Sequence, residues 1–139
     1  MAEKRPNRTL GAPHDAFWEW CARGELRIQR CGACRELNWP AVAACANCAS
    51  PDLAWERMSG RGRIASVCTF ERDYYGGMLP MPWETILVDL DEGVLFVSNP
   101  VGLTWQDLSI GMPVELRFTE CEDDVGRFML PVFAEAERS

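Results

Sequence analysis

Four of the seven cysteines stand in two C-x-x-C pairs, Cys31-Gly32-Ala33-Cys34 and Cys45-Ala46-Asn47-Cys48, with ten residues between the pairs. Each pair can turn as a knuckle, so that two thiolates approach one ion while backbone amides face the sulfurs. Two knuckles close a tetrahedral S4 site, which suits zinc, and four protein ligands leave no position for a reacting water. The expected metal ligands are therefore Cys31, Cys34, Cys45 and Cys48, with zinc as the ion, iron as its rival, and a structural role. A dithiol redox role fits less well, because two matched pairs argue for shared ligation. Cys21, Cys68 and Cys121 lie on apparent helix or strand tracks and read as small buried hydrophobes.

The chain has 139 residues, enough for one domain or for a small domain with a metal-clipped appendage. A net charge of −7 and a pI near 4.7 repel a phosphate backbone, which argues against nucleic-acid binding but leaves room for a small anion held by local arginines. No apolar run reaches the roughly 18 residues of a membrane span. The first residues lack the apolar core of a secretory signal, and the cysteine usage is that of a metal site, so the expected location is the cytoplasm.

Along the chain, residues 1–13 are polar and punctuated by Pro6, Gly11 and Pro13, and are expected as a flexible lead-in. Residues 14–23 carry a helical stripe in which Phe17 and Cys21 are four apart, with His14 or Asp15 as cap and Gly24 as terminator. A short strand over 26–30 enters the first knuckle. Beyond the second knuckle the period becomes two, over 63–72, 84–90, 94–98, 113–121 and 126–133, with a hairpin turn at Asp91-Glu92-Gly93. Five short strands bury one core economically as a closed barrel of the OB type. The expected fold is thus mainly β: an N-terminal helix and zinc ribbon over 14–55, then a five-stranded OB-fold domain over 56–139. The segment Tyr74–Trp83 is too rich in proline and glycine for a strand and unusually aromatic for a solvated loop.

Catalytic equipment is sparse. The one histidine, His14, stands at the helix start with no nucleophile placed near it, and reads as a cap or surface residue. Neither a phosphate loop nor a dinucleotide fingerprint occurs, and Asp89, Asp91 and Glu92 surround a turn.

An ordered set of features resembles the DUF35 family. It comprises Phe17-Trp18, Gly24-Glu25-Leu26, Arg30-Cys31-Gly32-Ala33-Cys34, Trp39-Pro40, Cys45-Ala46-Asn47-Cys48 and Trp55. Downstream follow Ser59-Gly60-Arg61-Gly62, Val88-Asp89-Leu90-Asp91-Glu92-Gly93, Ser98-Asn99 and Ile110-Gly111-Met112-Pro113-Val114. The similarity spans residues 14 to 135. It implies a helix, a rubredoxin-like zinc ribbon and an OB fold, and a role as the small partner of a thiolase-superfamily protein acting on coenzyme A thioesters. Catalytic residues would then belong to the partner, and none is expected in this chain. The reaction class stays open between thiolysis of a 3-oxoacyl-CoA, such as a benzoylsuccinyl-CoA type intermediate, and retro-aldol cleavage of a 3-hydroxyacyl-CoA, such as a steroid side chain.

Within that frame, Trp18 and Trp20 either anchor a partner protein or pack the helix on the chain's own barrel. Tyr74, Tyr75, Met78 and Trp83 either line a groove against partner or substrate or form a self-packed loop. Arg61 and Arg63 either meet a CoA phosphate or face solvent. Two other classes remain: an OB-fold nucleic-acid module, which needs a basic groove with stacking rings, and a rubredoxin-like electron carrier, which needs iron.

Overall fold

The computed structural model describes residues 2–137. After a two-residue strand β1 (Glu3–Lys4) comes α1 (His14–Ala22), then the ribbon strands β2 (Arg27–Cys31), β3 (Leu37–Asn38) and β4 (Leu53–Arg57). The barrel strands are β5 (Arg61–Phe70), β6 (Trp83–Leu90), β7 (Leu95–Ser98), β8 (Pro113–Glu122) and β9 (Arg127–Glu135).

α1 is short because its sequence ends it. Gly24 has φ 78°, and the turn is closed by Gly24 N–H donating to Cys21 O and Glu25 N–H donating to Trp20 O. At the other end the expected side-chain cap is absent: Pro13 holds the cap position, His14 is the first helical residue, and the Asp15 carboxylate accepts instead from Gly11 N–H in the preceding turn at 2.8 Å. Phe17 and Cys21 are buried, as the four-residue spacing predicts. So short a helix is marginal alone and depends on this docking.

The ribbon strands pair antiparallel in the order β3-β2-β4. In the larger sheet β5 pairs with β6, β6 with β7, β5 with β8 and β8 with β9, all antiparallel. Among the described residues the circuit is completed by a short parallel seam: Phe133 N–H donates to Asn99 O, Val101 N–H to Phe133 O, and the Ser98 hydroxyl to Pro131 O. This is an OB-type barrel, open along the β7–β9 side except at that seam. The β6–β7 turn falls at Asp91-Glu92-Gly93 as expected, with Gly93 at φ 92°, a conformation that favours glycine.

One core serves helix, ribbon and barrel. Phe17 and Cys21 of α1, Leu26 just before β2 and Ile28 within it join Ile64, Ile86, Val88, Phe96, Val114 and Phe133 in a single buried cluster. Full burial of a side chain such as Phe133 or Val88 contributes about 1.5–3 kcal/mol.

Two expectations need correction. Cys68 is exposed, not buried. A β-bulge between Ile64 and Ser66 shifts the β5–β6 register by one residue, and a one-residue slip exchanges the faces of a strand. Ile64 and Val67 therefore turn inward, and Cys68, on the same sequence track as Ile64, turns outward. The segment expected as a loose lead-in is tied down over its described part. β1 adds to β8 in parallel, Arg5 N–H donates to Glu122 O, and Arg8 is bound to Asp123. Residue 1 and residues 138–139 lie outside the described residues.

Candidate metal centre and adjoining groove

The four cysteines of the two pairs converge, with all four sulfurs within 4.8 Å of one another. Cys31 Sγ lies 3.5 Å from Cys48 Sγ, and Cys34 Sγ 3.6 Å from Cys45 Sγ. A tetrahedron with metal–sulfur bonds of about 2.3 Å has edges of about 3.8 Å, so the sulfurs are gathered at a spacing that one zinc ion can bridge with small adjustments.

The two knuckles repeat each other. Arg35 N–H donates to Cys31 O and Ala49 N–H to Cys45 O, and both residues take positive φ, 70° and 65°. Sequence inspection misses this, because glycine is the usual occupant of such a position. Gly32 N–H donates to Asp52 O, and a Cβ at Gly32 would displace the exposed Asp52 carboxylate that lies over it.

Electrostatics favour a cation. The Cys34 amide donates to Cys31 Sγ and lowers the Cys31 pKa, while the Asn38 side-chain amide, 3.5 Å from Cys45 Sγ, leads the effects that bring Cys45 down to about 6. At Cys48 the Ser50 amide also lowers the pKa, but hydrogen bonding with the Cys31 and Cys34 sulfurs opposes it and the thiol ends at about 12. Donors from Cys34, Asn38 and Ser50 thus favour the thiolate at Cys31, Cys45 and Cys48, the set of ligands a bound zinc would collect.

Asn38 is buried and was missed by sequence reasoning. Besides the Cys45 sulfur it engages the second knuckle, its carbonyl accepting from Ala46 N–H at 2.9 Å. Gln29 plays a parallel part, pinning the connecting loop by donating to Val42 O and accepting from Val42 N–H. Gln29 lies within β2 and Asn38 within β3, and no motif in the sequence marks either role.

Between α1, the ribbon and the barrel lies an aromatic groove of about 620 Å³. Its floor is a fixed stack in which the Trp39 ring lies 4.5 Å from Phe17 and 4.8 Å from Phe96. Trp18 and His14 flank it from α1, Tyr74 and Tyr75 from the β5–β6 loop, and Trp83 from the start of β6. Trp18 is held within the chain, edge-on to Phe17 and Phe128, with its indole N–H donating to Thr9 O. Tyr74 and Tyr75 are 66% and 51% exposed.

The other candidates lie apart. Trp20 is half-buried beneath the Arg27 guanidinium, 3.9 Å from the ring centre. Met78 is exposed and lines no part of the groove. Arg61 and Arg63 are exposed at the start of β5, where the Arg63 guanidinium donates to Gly111 O.

The N-terminal arm supplies a wall that the sequence did not announce. Arg5, Pro6 and Thr9 all border the groove. Arg5 stacks over Trp83 at 4.5 Å and donates to Asn99 Oδ1. Arg8 anchors the arm through Asp123, whose buried carboxylate accepts from Arg8 Nε, Nη2 and backbone N–H, and from the Val125 and Gly126 amides. The Arg8 guanidinium, followed by these amides, holds Asp123 well below the usual carboxylate range.

Residues 18–54 match the ChsH2 rubredoxin-like zinc ribbon domain, and residues 55–119 match the ChsH2 C-terminal OB-fold domain. A chain of the solved Ltp2-ChsH2(DUF35) aldolase superposes with a TM-score of 0.82 at 31% identity, over 94% of this chain and 100% of that one. The chain belongs to the ChsH2-type DUF35 family. A DUF35 protein of unknown function from Sulfolobus solfataricus shares the fold, with a TM-score of 0.57 at 14% identity over 76% of this chain and 78% of its own. Among curated proteins, a "Probable enoyl-CoA hydratase alpha subunit" of Thermomonospora curvata is 35% identical over 98% of this chain and 43% of its own length. The 3-oxo-4,17-pregnadiene-20-carboxyl-CoA hydratase alpha subunit of Mycobacterium tuberculosis is 32% identical over 77% of this chain and 34% of its own. This DUF35 chain thus spans less than half the length of these two relatives. No helix among its described residues is long and apolar enough to cross a membrane.

Proposed function

We propose that this chain is the non-catalytic, zinc-bearing small subunit of a cytoplasmic thiolase-superfamily complex that cleaves a 3-hydroxyacyl-CoA by a retro-aldol reaction. The observation that carries this reading is the likeness, along 94% of the chain, to the whole of a chain from the Ltp2-ChsH2(DUF35) aldolase. The curated relatives lend chemical context. A hydratase adds water across an enoyl-CoA, and its 3-hydroxyacyl-CoA product is the class of compound that a retro-aldolase consumes. One of those relatives is named for a steroid acyl-CoA.

The chain's own chemistry supports an accessory role. The four metal thiolates saturate their ion and leave no open position. Burial pushes the Cys21 thiol up to about 12 and raises Cys121, so neither is a ready nucleophile. In the proposed reaction a base takes the 3-hydroxyl proton, the bond between the α- and β-carbons breaks, and its electrons form a thioester enolate that is then protonated. The partner supplies base and acid. This chain supplies a rigid zinc-clipped wall of the complex.

Co-expression with a thiolase-like chain tests the reading. The expected result is a single co-purifying species that splits a 3-hydroxyacyl-CoA into a carbonyl compound and a shorter acyl-CoA, with neither chain active alone. A chain that stays apart from such partners, or that turns over a thioester unaided, would overturn it. Cleavage confined to a 3-oxoacyl-CoA plus free CoA would replace the retro-aldol step with thiolysis.

A further inference from the structure

β7 carries an unpaired edge. In an antiparallel pair, successive residues turn their backbone groups alternately toward the partner strand and away from it. The bond from Leu90 N–H to Val94 O sets the phase of the β6–β7 hairpin, so Phe96 and Ser98 pair with Val88 and Ile86 of β6. The N–H and C=O groups of Leu95, Val97 and Asn99 therefore point the other way. Asn99 uses that side for the parallel seam, its carbonyl accepting from Phe133 N–H. Leu95 and Val97 have no such partner: among the described residues, no backbone hydrogen bond outside the β6–β7 ladder involves either. An open edge of this kind is a template for a further strand, and proteins ordinarily guard it with a charge or a proline. The run Leu95-Phe96-Val97 has neither guard, and its Leu95 and Val97 side chains are 51% and 61% exposed.

The charge beside this edge selects its occupant. Val97 and Ser98 of β7 line the aromatic groove together with Leu130 and Pro131 of β9. Arg5, Arg72 and His14 also line it and no carboxylate does, in a chain whose net charge is −7. Arg5 is spent on Asn99 and Glu3. Arg72 lies over the Tyr74 ring at 5.5 Å and has no ion-pair partner among the described residues. A second copy of β7 would bring no carboxylate to it, because Leu95–Ser98 is uncharged. An acidic segment of another protein would.

We propose that the free edge of β7 at Leu95 and Val97 receives an extended segment of the partner subunit as an added strand, apolar on the side facing the groove and bearing a carboxylate that Arg72 meets. The source of the segment rests on the subunit reading above. Main-chain hydrogen bonds to Leu95 and Val97 supply the affinity, and the groove with Arg72 selects the side chains.

The test is residue-resolved hydrogen exchange of the zinc-loaded full chain, alone and in complex with a thiolase-like partner. In the free chain the Leu95 and Val97 amides are expected to exchange readily, while Phe96 and Ser98, bonded to β6, are slow. In the complex Leu95 and Val97 are expected to slow by at least about tenfold. Val97→Pro removes an N–H on the open side alone, and edge strands tolerate proline. It is expected to keep the parent's zinc content and circular dichroism. Its affinity for the partner is expected to be at least about tenfold below that of Val97→Thr, which keeps the N–H. Arg72→Glu is expected to weaken the partner at least about threefold at low salt. Free exchange at Leu95 and Val97 in the complex would overturn the assignment, as would Val97→Pro binding as tightly as Val97→Thr, or Arg72→Glu as tightly as the parent. Protection of both amides in a chain that doubles its mass without partner would also overturn it, because a second copy would then hold the edge. Should Val97→Pro fail to fold, exchange in the parent complex decides. A partner that joins the chain without protecting the edge refutes only this assignment. A chain that stays apart from every thiolase-like partner refutes the subunit reading and the edge assignment with it.

Discussion

Substitution of Asp123 tests the anchoring of the N-terminal arm. The carboxylate side chain is fully buried and the Arg8 side chain is 11% exposed, with Nε to Oδ2 at 2.7 Å. Asp123→Ala leaves a nearly buried guanidinium and the Arg8, Val125 and Gly126 amides without their acceptor. Removing one partner of a buried pair costs about 3–5 kcal/mol, and the residual exposure of Arg8 places this case near the lower end, about 3 kcal/mol. For a chain of this size that lowers Tm by about 10 °C. The arm is held besides by the short β1 pairing, by Arg5, by the reciprocal hydrogen bonds of Asn7 with Asp124 and by the Trp18 indole on Thr9 O, so hydrogen exchange is expected to rise first at Arg8, which loses its acceptor outright. The pH dependence has a definite sign. Because the folded carboxyl lies below its unfolded value of about 3.9, its contribution is complete above that value and is lost only as pH falls toward the folded pKa. The stability difference between the parent and Asp123→Asn should therefore be flat from about pH 5 to 8. Denaturant unfolding monitored by fluorescence measures both quantities. An Asp123→Ala protein within about 0.5 kcal/mol of the parent, or a difference that titrates near neutral pH, would refute the argument.

Purified chain is expected to carry one zinc, measured by plasma emission, and Cys45→Ser to lose most of it because a tetrahedral S4 site has no spare ligand. Asn38→Ala removes the side-chain donor that most lowers Cys45 from its usual thiol value toward about 6. Zinc affinity should fall by about 10–100-fold, and by more at pH 6 than at pH 8, because protons then compete better for that sulfur; a chelator titration at both values decides. Gly62→Ala should cost about 1–3 kcal/mol in denaturant unfolding, since its Cβ would stand 2.5 Å from Asp89 O across the β5–β6 pair.

The sequence determined the metal clip and the order of the parts. Thiolate spacing is a local property: two residues between cysteines make a knuckle whatever surrounds it, and the four named cysteines do converge. The strand periods were equally local, so the main elements and the hairpin at Asp91-Glu92-Gly93 were legible from alternation and turn chemistry. What tertiary structure alone decided was anything set by registry or by distant partners. The bulge between Ile64 and Ser66 turned Cys68 to solvent, and no pattern along one strand reports its alignment with the next. The arm was polar enough to read as loose, yet Arg8 meets Asp123 across 115 residues, and a polar side chain looks the same in sequence whether water or a buried carboxylate receives it. The groove follows the same rule. Trp39, Phe96 and Arg5 come from three parts of the chain, and a concave surface exists only once packing has brought them together.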